Sequence, residues 1–428
     1  SDDSGDSLDS ILNRLDPQQV EQVIHAFTSY LRAVNLAEKV HRIRRRRSYQ
    51  REGLEAQRGS LDQVIEMLKS RQVGRDELAA EISKLLIQPV FTAHPTEATR
   101  RTIQEKEYDI LRRLVERLNP ELTPAEDALA IGRIRSEITT SWQTRMEPHA
   151  KPTVADELDN ILFYITDILY RVVPVFYESL EQAFEKHFDA CPAEMLPRPI
   201  LRFGSWVGGD MDGNPNVNAD TILATLVQQR AAVIKCYLPE LKRLARHLSQ
   251  SLSEIGVSDA VQRRVARYRE FLPEVSRQIP DRHIDMPYRC LLAFMTARLA
   301  AALDESEKAY MIVADFIEDI ELIRDSLQEN RGVHAGLFNV TRLLRRVRTF
   351  GFHLVTLDVR QDALLHRRVM GELLGCKDWE QRGAANRAAT LAELIRTDSL
   401  PSIGDQSRLS ADAQSSLAVF QAISTARQ

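Results

Sequence analysis

Three places in this sequence put reactive side chains at the end of a short apolar run, each just ahead of a helical pattern. Val90-Phe91-Thr92-Ala93 leads into His94-Pro95-Thr96-Glu97, then Arg100 and Arg101. The stretch from Phe203 to Pro215 carries Trp206, Gly208, Gly209, Asp210 and Asp212. The third runs from Leu354 through Asp358 and Arg360 to Asp362. An imidazole moves protons near neutral pH. A carboxylate holds a metal, pairs with arginine or caps a turn. A guanidinium grips phosphate or carboxylate through two parallel hydrogen bonds. If the runs are strands of one parallel barrel, their carboxyl ends gather His94, Trp206, Asp210, Asp212 and Arg360 at one mouth, where barrel enzymes keep their chemistry.

Each residue also has a plainer explanation. Pro95 stops a ladder and disfavours helix at His94, with Thr96 as N-cap of a helix from Ala98. His94 is then either a turn histidine or a base kept neutral by the helix N-terminus. Arg100 and Arg101 either hold an anion or pair with Glu105 or Glu97. Gly208 and Gly209 permit close backbone approach and positive φ. Asn214 and Asn216 suit side-chain-to-backbone bonds in a tight loop, and Asp210 and Asp212 are open between that role and a site. The Asp-x-Asp-Gly order starts like a calcium loop, but no glutamate follows at the EF-hand spacing. Strand alternation puts Thr356, Asp358 and Arg360 on one face, so Arg360 faces either Asp358 or an anionic substrate.

The elements that must position these groups are mostly helices. Apolar residues recur at helical spacing through 18–43, 61–68, 78–86, 98–118, 128–142, 158–188, 222–248, 261–271, 288–303, 309–327, 337–347 and 363–374. Only the three opening runs read as strands, at about five residues each. The segment 377–410 is polar with weaker helical signals.

Bulk properties exclude several classes. The chain has 428 residues, 43% hydrophobic and 28% charged, with net charge −4, so no global field draws it to nucleic acid or membrane. Arg42 and Arg44 to Arg47 form a basic run with only Tyr49 interleaved, which reads as a solvated helix end. Four scattered cysteines make no CxxC pair and suit a reducing, cytoplasmic setting. No apolar run is expected to span a bilayer, and the acidic start is unlike a signal peptide.

At these residues the chain resembles the phosphoenolpyruvate carboxylase family. TAHPTEATRR at 92–101 is similar to the family's histidine signature, FGSWVGGDMDGNPNV at 203–217 to its glycine-aspartate loop, and VTLDVRQD at 355–362 to its first arginine strand. NLAEKVHRIRRRR at 35–47 looks like a family helix near the amino end, while Met211 stands where the family usually has arginine. The resemblance covers only the family's amino-terminal half. It implies a mainly α fold with a few parallel strands, an incomplete (β/α) TIM-type barrel surrounded by many helices. The regions expected are 1–88 helical, 89–376 partial barrel with strands near 90–94, 200–207 and 354–360, and 377–428 a helical tail.

The resemblance also implies a reaction, carboxylation of phosphoenolpyruvate by bicarbonate to oxaloacetate and phosphate. His94 would be the base, and Arg360 would grip the phosphate end. Trp206 would wall the pocket, Gly208, Gly209, Asp210 and Asp212 would shape its floor, and Arg100 and Arg101 would take an effector. Mg²⁺ or Mn²⁺ would be held by residues outside this chain. The expected partners are the missing carboxyl half and further copies in a tetramer, without nucleic acid or membrane. The fragment alone is expected to be inactive. Two alternatives stand beside this one, a helical regulatory or scaffold fragment that binds a partner half, and a metal-dependent phosphate hydrolase using Asp210, Asp212 and His94.

Overall fold

The structure, a computed structural model, describes residues 14–53, 57–92, 100–145, 153–189, 198–304, 306–399 and 408–427. His94, Thr96 and Glu97 lie outside the described residues, so the expectations attached to them have no structural counterpart.

Along the chain the helices are α1 (Pro17–Glu52), α2 (Leu61–Ser70) and α3 (Arg75–Lys84), followed by strand β1 (Val90–Phe91). Next come α4 (Arg101–Glu116), α5 (Pro124–Trp142), α6 (Val154–Phe163), a π-turn at Tyr164–Leu169 and α7 (Tyr170–Phe188). Strand β2 (Gly204–Ser205) precedes α8 (Ala219–His247), α9 (Asp259–Phe271), α10 (Pro273–Gln278), α11 (Pro287–Ala301), α12 (Val313–Glu329) and α13 (Phe338–Phe350). Strand β3 (Thr356–Leu357) is followed by α14 (Ala363–Leu373), α15 (Ala384–Arg396) and α16 (Ala411–Arg427).

Local chemistry sets several boundaries. Thr123 and Glu126 form a reciprocal capping box with Pro124 at the first helical position, so α5 begins there. Thr153 and Asp156 do the same for α6. The pattern from 158 to 188 reads as one helix, yet the structure inserts a π-turn before α7. Pro174 inside α7 explains a local irregularity, because proline lacks an N–H and crowds the carbonyl four residues back. By length and composition Val154–Phe188 is apolar enough to cross a membrane, contrary to the expectation that no run would be. Here it is a packed helix, with Ile165, Val173, Tyr177 and Phe184 buried.

The three runs pair as a parallel sheet in the order β1-β2-β3. Val90 and Phe91 align with Gly204 and Ser205, which align with Thr356 and Leu357. The strands are shorter than expected. Pro89 accepts from the Gly204 N–H at 2.9 Å but has no N–H to return, which interrupts the β1 ladder. Single bridges extend the pairing at Ile87–Leu201 and Asp210–Arg360.

The chain folds into two compact units. One is Ser1–Leu68 with His94–Pro152, and the other is Lys69–Ala93 with Thr153–Gln428. In the first, α1 and α5 both pack on α4. In the second, α8 lies mainly against α11 and fills the interior with Val233, Ile234, Tyr237 and Leu241, all fully buried. Phe350 at the end of α13 stacks on Phe203 at 5.6 Å and on Tyr170 at 5.8 Å. The Tyr237 hydroxyl donates to the Gly351 carbonyl at 2.8 Å, and the Ile200 N–H donates to the Tyr177 hydroxyl at 3.1 Å. These interactions anchor the start of β2 and the approach to β3, and thereby the residues at their carboxyl ends.

Candidate active site

The chain leaves β2 through a turn in which the N–H groups of Gly209 and Asp210 both donate to the Trp206 carbonyl at 2.9 Å. The Ser205 hydroxyl, fully buried, accepts from the Val207 N–H at 3.1 Å. Gly208 adopts φ +83, and a β-carbon there would lie 2.2 Å from the Thr225 hydroxyl. Gly209 is required by its neighbour, since a β-carbon would lie 2.5 Å from the backbone oxygen of Asp358. Glycine lets the β2 exit lie directly against β3. Downstream, Asn214 accepts from the Asn216 N–H at 3.1 Å, and Asn218 caps α8 by accepting from the Thr221 N–H at 3.0 Å. The turn role expected of Asn214 is therefore present.

That close approach allows one further bridge. The Arg360 N–H donates to the Gly209 carbonyl and the Met211 N–H to the Arg360 carbonyl, both at 2.9 Å. Asp210 is thereby set opposite Arg360, and their side chains form an ion pair at 3.5 Å. The Arg360 guanidinium lies over the Trp206 ring, 3.8 Å from its centroid, a cation–π contact of the kind that orients a planar cation. Arg360 remains 41% exposed at its side chain, so its outer edge is open to an anion. The Asp210 carboxylate has one oxygen on Arg360, while its Oδ1 is buried without a hydrogen-bond partner. A buried acceptor of this kind requires a donor.

Three of the expected residues, Trp206, Asp210 and Arg360, are thus brought together by the structure, with Gly208 and Gly209 as the turn between them. The partner of Arg360 is Asp210 rather than Asp358. Asp212 is exposed and has no ion pair among the described residues. Arg101 pairs with Glu105 at 2.8 Å and Arg100 donates to the Arg145 carbonyl at 3.2 Å, both within the other compact unit. Thr225, buried under Gly208, was missed. Its signal was a threonine on the inward face of the Ile222–Leu248 pattern, in the second turn of α8.

No three His, Cys, Asp or Glu side chains gather as a metal site among the described residues. Asp210 is committed to Arg360 and Asp212 stands apart, so these residues do not fit a divalent ion.

The Gly209 geometry carries a prediction. Gly209→Ala forces the β2 exit away from the Asp358 carbonyl and is expected to destabilise the chain by about 1–3 kcal/mol. Gly132→Ala, inside α5 with nothing within 4 Å of the added β-carbon, is expected to leave stability unchanged or raise it by about 0.5–1 kcal/mol. Urea unfolding of both variants measures the difference, and equal midpoints would contradict the close approach.

Comparison with known proteins converges on one family. The phosphoenolpyruvate carboxylase family model matches residues 1–428. Phosphoenolpyruvate carboxylase of Xanthomonas campestris pv. campestris (strain 8004) is 46% identical over 420 residues, 98% of this chain and 46% of the relative. That of Xanthomonas oryzae pv. oryzae is 46% identical over 429 residues, 100% of this chain and 47% of the relative. That of Paraburkholderia xenovorans is 34% identical over 388 residues, 86% and 38% respectively. The chain spans about half the length of the Xanthomonas relatives.

Proposed function

The chain belongs to the phosphoenolpyruvate carboxylase family, and on that premise we propose that it supplies the amino-terminal, anion-gripping portion of an enzyme that joins phosphoenolpyruvate and bicarbonate into oxaloacetate and phosphate. The observation that carries this reading is the Arg360 guanidinium, stacked on Trp206 and paired with Asp210 at the carboxyl ends of parallel strands.

The chemistry needs two anions held side by side, water kept out, and a proton moved. Arg360 serves the first need. Its plane is fixed by the indole, so its free N–H groups face a phosphate in bidentate register. The ion pair with Asp210 is loose enough, at 3.5 Å, for a phosphate to displace it. Trp206 walls one side of the hollow and limits water near the reacting carbon. The unpaired Asp210 Oδ1 accepts from a substrate hydroxyl or from a donor contributed by the rest of a family-length chain. His94, by its place in the family signature, takes the proton as a neutral base. Asp212 orients a neighbouring cation, and Arg100 and Arg101 take an anionic effector.

The three strands are the first part of a TIM-type barrel that remaining strands of a longer chain close. A divalent ion, Mg²⁺ or Mn²⁺, would be held by residues outside this chain and would supply Lewis-acid stabilisation of developing negative charge. The working enzyme is a cytoplasmic homo-oligomer, a tetramer at full length.

On this reading the 428-residue chain alone forms no oxaloacetate from phosphoenolpyruvate, bicarbonate and Mg²⁺, whereas a family-length chain containing it does. A coupled oxaloacetate assay on both proteins tests this. Turnover by the short chain refutes its proposed inactivity, and silence of the long one refutes the activity.

A further inference from the structure

The exposed face of α1 carries six large apolar side chains in one line. Val23, Ile24, Phe27, Tyr30, Leu31 and Val34 repeat at offsets of three, four and seven. All are exposed, Phe27 by 62% and Tyr30 by 64%. The packing of α1 comes from its opposite face, where His25 stacks on Trp142 at 4.3 Å, Arg32 pairs with Glu107 at 2.8 Å and Leu36 is buried. Single exposed hydrophobic residues need no explanation, but a contiguous line marks a binding surface.

Toward its carboxyl end the same helix becomes basic. Lys39, Arg42, Arg44 to Arg47 and Arg51 face a single carboxylate, Glu52, within that stretch. Arg42 pairs with Glu38 at 2.6 Å, and Arg45 donates to the Tyr49 hydroxyl at 2.9 Å. Arg44, Arg46, Arg47 and Arg51 are exposed and have no ion pair among the described residues. At helical spacing only Arg42, Arg45 and Tyr49 continue the line of the stripe, while Arg44, Arg46, Arg47 and Arg51 lie on other faces of α1. The occupant of this face must therefore be apolar over the first part and polar over the second.

Magnitudes choose between occupants. The apolar line is about 16 Å long and offers an area on the order of 400 Å². Two copies laid face to face would bury roughly 800 Å², the range of packing contacts rather than stable dimers. A segment of the same polypeptide escapes that limit, because continuity holds it at high effective concentration. The relatives offer such a segment, since this chain covers only 46% of the first and 47% of the second.

We propose that the stripe from Val23 to Val34, continued by Arg45 and Tyr49 on the same face, is the seat of an amphipathic segment from the other half of a family-length chain. This rests on the reading of the chain as the amino-terminal portion of such an enzyme and assigns where the rest docks.

Hydroxyl-radical footprinting tests the assignment by reading side-chain access directly. Phe27, Tyr30 and Tyr49 are compared in the 428-residue chain and in a family-length chain containing it, with the oxaloacetate assay run on the same samples. The expected result is at least a fivefold fall in oxidation of all three in the longer chain. The paired substitution Phe27→Gln and Leu31→Gln is expected to leave the unfolding midpoint of the short chain unchanged and to lower that of the long one. A long chain that turns over while Phe27 and Tyr30 stay as reactive as in the short one overturns this inference and leaves the proposed function standing. Protection in a long chain without turnover has the reverse meaning. Protection in the short chain that grows with its concentration assigns the stripe to a second copy and overturns the proposal.

Discussion

Arg360→Lys, in a family-length chain, is expected to lower kcat/KM for phosphoenolpyruvate by roughly 10²- to 10³-fold, or about 2.7–4 kcal/mol of transition-state stabilisation. Lysine keeps the charge but loses the planar fork and the stacking on Trp206. The 3.8 Å separation between guanidinium and indole fixes the direction in which two N–H groups point, and an ammonium on a flexible stem has no such constraint. The loss is not a folding effect. The Arg360–Asp210 pair is 3.5 Å long and its side chains are 41% and 33% exposed, so it is worth about 0–1 kcal/mol to stability. The unfolding midpoint of the variant should therefore stay close to the parent's. Trp206→Leu is expected to act in the same direction with a smaller effect, because the guanidinium remains but can swing. A kinetic titration with phosphoenolpyruvate checks both. An Arg360→Lys enzyme with parental kcat/KM would remove the guanidinium from the site.

The sequence shows which residues lie at strand ends, but not what each one touches. Val90, Gly204 and Thr356 fall in register as the three apolar runs suggest. The helical stretches were legible because each buries one stripe at the 3.6-residue period, as α8 does with Val233, Tyr237, Leu241 and Leu244. The partner of Arg360 was not legible. Asp358 shares its face by alternation, yet the bridge to Gly209 and Met211 brings in Asp210, and no local pattern encodes a pairing between residues so far apart in the chain. The two-residue strands reflect the interruption at Pro89 and the tight exit at Gly209, effects of backbone pairing that hydropathy does not report. The compact units are discontinuous in sequence, and composition carries no mark of where a chain leaves one unit and later returns.

Asp319→Ala is expected to be the most destabilising single substitution in the helical layer built from α9, α11 and α12. Asp319 is fully buried on α12 and forms an ion pair with Arg264 of α9. Its other oxygen accepts from the hydroxyls of Tyr268 and Tyr310, each at 2.6 Å. Arg298 of α11 donates to the Tyr268 hydroxyl and lies 3.9 Å over the Tyr310 ring. Burial pushes the Asp319 carboxyl up, opposed by the two hydroxyls and by the charges of Arg264 and Arg298. Alanine removes the one acceptor these groups share, leaving Arg264 only the exposed Glu318 carboxylate at 2.9 Å and two buried hydroxyls without their acceptor. The cost of breaking such a set is about 3–5 kcal/mol, against about 0.5 kcal/mol or less for a typical surface change. Asp319→Asn keeps the shape but not the charge, and should fall between the two. The position was visible in principle, because Asp319 stands three residues after Phe316 and one before Ile320 on the apolar stripe of α12. A carboxylate in that line must be answered from across the core. Urea unfolding decides the matter. A midpoint shift near that of an exposed control such as Asp325→Ala would mean that water reaches the cluster and already satisfies these groups.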